Sequence, residues 1–208
     1  MLRGCAWAVA VAHLAAGVVG AFVIAPGTSA AEADPGVRMA HVASHAGAWF
    51  AAWFIPMAAA LTMIALAATL KARLKERVAS DALELALAFT IFGAAVEVTA
   101  SCFAAVMLPA LARTQDRALF QALELTVLIA TSTVGNTGFT LGQLLLVRTL
   151  KQAGAPRVVV TLGALNVLAG AVFVAVGVAG VPVLVPMATG AVFVTLAAYA
   201  VVLARSAL

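Results

Sequence analysis

The sequence predicts an all-α, polytopic membrane protein: a bundle of six transmembrane helices with both termini cytoplasmic. Three observations predict it. The 208 residues are 65% hydrophobic and 10% charged, with a mean hydropathy of +1.14, too apolar to cover a water-facing surface. The apolar residues gather into six runs of about 20 or more, the length a helix needs to cross the hydrocarbon core. The Lys and Arg residues stand almost wholly between these runs, where they set orientation.

Only elements that satisfy their own backbone hydrogen bonds cross lipid, so each run is assigned to a helix. The first covers 4–25 and ends at Pro26 and Gly27; it is too long for a signal-peptide core and is retained as a span. A polar loop with Glu32, Asp34, Pro35 and Arg38 leads to a second helix over 41–70, with Pro56 inside it. After the basic stretch from Lys71 to Arg77 come helices over 83–111 and 118–147, joined by a short polar turn. Gly154 and Pro156 break the chain before the fifth helix, 158–179, and Gly180 to Pro186 turn it into the sixth, 187–204. The last two are Val-rich but lack the alternation of a barrel strand. The whole of 1–208 reads as one domain.

Arg3, Lys71, Arg73, Lys75, Arg77, Arg148, Lys151, Arg157 and Arg205 fall on one side; Arg38, Arg113 and Arg117 fall on the other, which accounts for all twelve. The richer side is cytoplasmic. The net charge of +4 is therefore topological and excludes nucleic acid as a partner. Trp7 and Tyr199 are expected at the inner interface, Trp49 and Trp53 at the outer. Cys5 and Cys102 lie too far apart for a disulfide framework and read as small packing residues.

Polar groups inside apolar runs mark where function is to be sought, because each costs several kcal/mol unless something pairs with it. Glu97 is about 14 residues from either end of its helix, roughly 20 Å below the outer surface at 1.5 Å per residue, with Ser101 one turn away. In the fourth helix Ser132, Asn136, Thr140 and Gln143 follow helical spacing and form one stripe, and Asn136 returns to the depth of Glu97 as its expected hydrogen-bond partner. Glu124, His45 and Trp49 are placed nearer the outer mouth. These residues outline a pocket between helices two, three and four, opening outward, that holds a small, partly apolar molecule through Glu97, Asn136, Gln143, Ser101, Ser132, Glu124, His45 and Trp49.

Other chemistries have less to stand on. His41 and His45 are one turn apart, as two metal ligands would be, but no third ligand accompanies them. His13 lies about 18 Å below the outer end by helix rise and mismatches His45 for haem, so neither metal nor haem is expected. No nucleophile with its base and no phosphate-binding loop is present. The chain reads as a non-enzyme, with acid chemistry by Glu97 on a lipid-soluble substrate as the enzymatic alternative. A structural alternative makes the polar residues fasteners, with Gly163, Gly170 and Gly177, seven residues apart, packing against a second copy or another membrane protein.

The long first outer loop, the basic second loop, Ala118 to Gln121 after the polar turn and the run Gly138 to Gln143 resemble a family of six-helix bacterial membrane proteins of unknown function, which implies the bacterial cytoplasmic membrane as location. Ala6, Ala8, Ala10 and Ala12 in the first helix are similar to the small-residue docking face of the substrate-binding subunits of energy-coupling-factor vitamin importers. That resemblance implies a vitamin-binding subunit as a further alternative.

Overall fold

The computed structural model describes residues 1–78 and 80–206, which form helices and short connections and contain no strand. Six spans are long and apolar enough to cross a membrane: Leu2–Gly27, Ala46–Leu74, Ser80–Thr114, Arg117–Gln152, Arg157–Ala179 and Pro182–Arg205. An even number of spans puts both ends of the chain on one side, with the basic connections.

The first span is α1 (Leu2–Val19) continued by a π-helical turn, Gly20–Ile24, and a 3₁₀ turn, Ala25–Gly27. A short outer helix, α2 (Pro35–Ser44), begins where Pro35 supplies the fixed φ of a first helical residue and Asp34 accepts from the Gly36 amide at 2.7 Å. The second span, α3 (Ala46–Leu74), starts only after a break at His45. The helix expected from residue 41 is thus two helices, and His41 and His45 lie outside the membrane-crossing part. The third span is α4 (Ser80–Thr114). The fourth is α5 (Arg117–Ile129), a π-helical segment, Ala130–Gly135, and α6 (Asn136–Gln152). The fifth and sixth are α7 (Arg157–Ala179) and α8 (Val185–Arg205), separated by Gly180 in the left-handed conformation (φ 63°) that ends α7.

The spans stand in a ring in chain order. Each packs mainly on its neighbours in sequence, and the sixth closes the ring on the first. Six helices each about 10 Å across, arranged in a ring, leave a centre about one helix wide, and the two halves of the ring treat it differently. On the basic side it is filled by a cluster that includes Leu66, Leu70, Leu83, Leu146, Leu150, Tyr199 and Leu203, all buried. On the outer side a second cluster, with Met39, Val42, Trp49, Leu108 and Phe120, packs α2 over α3, α4 and α5. Between the two clusters the centre stays hollow.

The tightest seam joins the third and fourth spans. Gly93, Gly138 and Gly142 there face backbone atoms of the opposite helix so closely that a Cβ would sit within 3 Å of them, the close approach that small residues permit in membrane helices.

Several surface expectations are corrected. Trp49 is 0% exposed, donates its indole N–H to the Ala104 carbonyl at 2.8 Å and lies against Gly27; Trp53 is buried beside it, and Tyr199 is buried under Gly163. These aromatics are core wedges rather than interface anchors. Their large apolar area packs between helices, where sequence depth alone suggested the headgroup zone. Trp7 is exposed. Trp49→Phe keeps most of the volume and loses the hydrogen bond, so a loss of about 1 kcal/mol is expected, read as a lowered Tm in detergent.

The row Gly163, Gly170 and Gly177 is used within the chain. Gly163 faces Val147 and Tyr199, Gly170 faces Thr140, and Gly177 faces Ser132 and Thr133. It fastens the fifth span to the fourth and sixth, so it is not a free face for a partner. Ala6 and Ala10 are likewise buried in the inner core while Ala8 is exposed, which splits the small-residue docking face expected of the first helix.

Candidate functional site

The hollow is a cavity of about 370 Å³ in the outer half of the ring, a size in the range of small-molecule sites. All six spans line it, not three. His13, Gly17 and Gly20 come from the first, Trp53, Pro56 and Met63 from the second, and Glu97 and Leu108 from the third. Glu124, Asn136, Phe139 and Thr140 come from the fourth, Asn166 and Phe173 from the fifth, and Pro186, Gly190 and Phe193 from the sixth. Its walls are mostly apolar, with a few convergent polar groups.

Glu97 projects into this space. The one hydrogen bond recorded to its carboxyl comes from the Ser101 hydroxyl, at 3.5 Å, the outer limit for such a bond. Among the described residues no Lys, Arg or His pairs with it. Asn136, expected as its partner, instead donates its side-chain N–H to the Gly170 carbonyl at 2.8 Å, tying the fourth span to the fifth. Asn166 makes the next tie, donating to the Val192 carbonyl at 3.1 Å and to the Thr195 hydroxyl at 3.0 Å. His13 Nδ1 lies 2.8 Å from the Val9 carbonyl. As a backbone carbonyl only accepts, Nδ1 is the donor, and neutral imidazole then keeps Nε2 as an acceptor. The His13 ring rests edge-on to Phe193, centroids 5.5 Å apart. The Trp53 indole N–H is buried without a partner.

The fourth span explains why the polar stripe read from sequence is only partly the cavity wall. In an unbroken α-helix Ser132, Asn136 and Thr140 share a face. The π-helical segment Ala130–Gly135 adds a residue to the turn, so the lining runs Thr131, Asn136, Thr140. Ser132 is rotated out of the wall, buried against Gly177, with its hydroxyl donating to the Leu128 carbonyl at 2.6 Å. Gln143 keeps the helical phase but lies below the floor. Both its polar atoms and the Tyr199 hydroxyl are buried without a hydrogen bond of normal geometry, although the two side chains face each other.

The outer end is roofed. Glu124 lines the cavity there and holds the loop above it: Arg38 Nη2 lies 2.9 Å from Glu124 Oε2, the side chains 3% and 7% exposed. The Ser29 amide donates to Glu124 Oε1. Arg38 also donates through Nη1 to the carbonyls of Glu32 and Ala33, both at 2.8 Å. Glu124 is therefore a latch for the roof rather than a group at an open mouth. Trp49 and His45 do not line the cavity. His41 and His45 stack on each other, centroids 4.6 Å apart, with His45 Nδ1 2.9 Å from the His41 carbonyl and His41 Nε2 3.3 Å from the Val23 carbonyl. No group of three or more metal-ligating side chains gathers among the described residues.

The first and sixth spans pack on each other beside the cavity. Gly17 faces Phe193, which sets an antiparallel register that brings Gly20 opposite Gly190. A Cβ at either would meet nothing within 4 Å. Ala21, Pro186 and Gly190 line the cavity and are exposed.

Sequence reading passed over His13 and Asn166 as site residues. Both carried the signal that singled out Glu97, a polar side chain inside an apolar run, but a pocket confined to helices two to four excluded them. No family model, curated protein or solved structure matches the chain.

Proposed function

We propose that this integral membrane protein binds a small, partly apolar molecule in the central cavity, as a carrier or receptor in a bacterial cytoplasmic membrane. The observation that carries this is the cavity itself: about 370 Å³, walled by all six spans, with two acids and an imidazole on its surface. Evacuated space at the centre of a membrane bundle forfeits packing contacts, and polar groups bordering it are costly unless a ligand or water meets them. The inner half of the ring is solidly packed, so the cavity has no path to the cytoplasmic side in this conformation, and carriage would require that plug to open. The open space about Gly20 and Gly190 and the exposure of Ala21 and Pro186 support access between the first and sixth spans, through the outer leaflet.

Native mass spectrometry of protein extracted in mild detergent tests the reading. A bound molecule of discrete mass, lost on delipidation and restored on adding back the extract, is the expected result. Protein at its bare mass throughout, with no ligand regained from the extract, would overturn it. Access has its own test. A Cβ at Gly190 meets nothing within 4 Å, so Gly190→Phe should fold while ligand association, followed by Trp53 fluorescence, slows severalfold. An unchanged association rate would place the route elsewhere.

A further inference from the structure

We propose that the ligand is an organic monocation, an amine or quaternary ammonium with an apolar body, held by the Glu97 carboxylate against an aromatic wall; this rests on the cavity reading above. The charged and titratable groups facing the space are few. From the first span comes His13, its Nδ1 engaged by Val9. The second and fifth spans contribute no titratable side chain to the lining, and neither does the sixth. The third contributes Glu97, and the fourth Glu124, whose charge is matched by Arg38.

Among the described residues Glu97 is thus the one acid on the wall without a cation. No Lys or Arg is among the lining residues, and His13, the one base there, forms no ion pair with it. A carboxylate in a low-dielectric space takes a counter-ion when one fits, because an ion there is stable only when paired. The rings of Trp53, Phe139, Phe173 and Phe193 also line the space. Aromatic faces carry negative potential that attracts ammonium groups, the quaternary ones included, and their area takes an apolar body at the same time. One unmatched acid in an apolar cavity that four aromatic side chains help to line fits a single positive charge with an apolar remainder. An anion would be repelled by the acid, and a polyol, though it can donate hydrogen bonds to a carboxylate, would leave its charge unbalanced.

The test uses the full chain in nanodiscs and two probes of one shape, phenethyltrimethylammonium and its neutral carbon isostere (3,3-dimethylbutyl)benzene, with protein-free nanodiscs subtracting partition into lipid. The cation should bind about tenfold or more tighter than the isostere, the range expected of a desolvated cation beside aromatic faces. Glu97→Gln should erase that preference, and Glu97→Asp should keep it. Phe173→Leu should weaken the cation more than the isostere, which decides the matter if Glu97→Gln does not fold. Equal binding of both probes, a preference for the isostere, or a folded Glu97→Gln protein that still prefers the cation would overturn the proposal and leave the cavity reading standing. Failure of both probes to bind counts against both.

Discussion

Replacing Arg38 with alanine is expected to destabilise the protein by roughly 3–5 kcal/mol, the range for removing one partner of a buried ion pair. The cost has two sources. Glu124 would keep its carboxylate at the roof of an apolar cavity with the Ser29 amide as its remaining donor. The carbonyls of Glu32 and Ala33 would lose the guanidinium that gathers them, so the turn leading into α2 would come loose from the fourth span. Replacing both members, Arg38→Met with Glu124→Leu, removes the stranded charge along with the attraction and should recover a large part of the loss, since a buried pair is often near neutral against an apolar pair of similar volume. Thermal unfolding of the two single variants and the double gives the cycle. A single variant within about 1 kcal/mol of wild type, or a double no better than the singles, would mean that the pair does not hold the roof. The same loosening should expose a Ser29→Cys thiol to a water-soluble maleimide faster with Arg38→Ala than with Arg38 intact.

Much of the fold was legible because membrane helices write themselves in length and composition. Six apolar runs became six spans, with ends shifted by a few residues, and the basic connections share one side as charge counting required. What sequence could not carry was helical phase and side-chain partner. The extra residue in Ala130–Gly135 turns Ser132 away and Thr131 inward, and no local residue pattern announces a π turn. Asn136 was read against Glu97 because the two share a depth, but depth leaves open which of two neighbouring helices an amide faces, and it faces Gly170. Glu124 and Arg38 are 86 residues apart in the chain, and charge counting treats each as a surface group. The glycine rows were legible as close-packing faces. Whether they face another span of the chain or another molecule depends on the closure of the ring, which only coordinates supply.

Gly138→Leu is expected to cost at least about 3 kcal/mol, at the upper end for overpacking. A Cβ at Gly138 would lie 2.8 Å from both the Gly93 amide nitrogen and the Phe89 carbonyl oxygen, and 2.9 Å from Phe92 Cδ1. Two of those atoms are backbone, which cannot swing aside as a side chain does, so the third and fourth spans would have to part. Even alanine supplies that Cβ and should destabilise. By contrast Gly47→Ala adds its methyl to open space and should be neutral or stabilising by up to about 1 kcal/mol through helix propensity. Parting the spans also reaches the site. Glu97 stands one turn from Gly93 on α4, and Asn136 lies two residues before Gly138, between two glycines of the same seam. A wedge there separates the acid from the aromatic wall while leaving every lining side chain chemically intact. Gly138→Ala is therefore expected to weaken ligand binding in protein that still folds, with the loss larger than that of Gly190→Ala, where a Cβ meets nothing. Binding to the Gly138→Ala protein at wild-type affinity would mean that the seam only holds the bundle together and that the cavity wall keeps its shape without it.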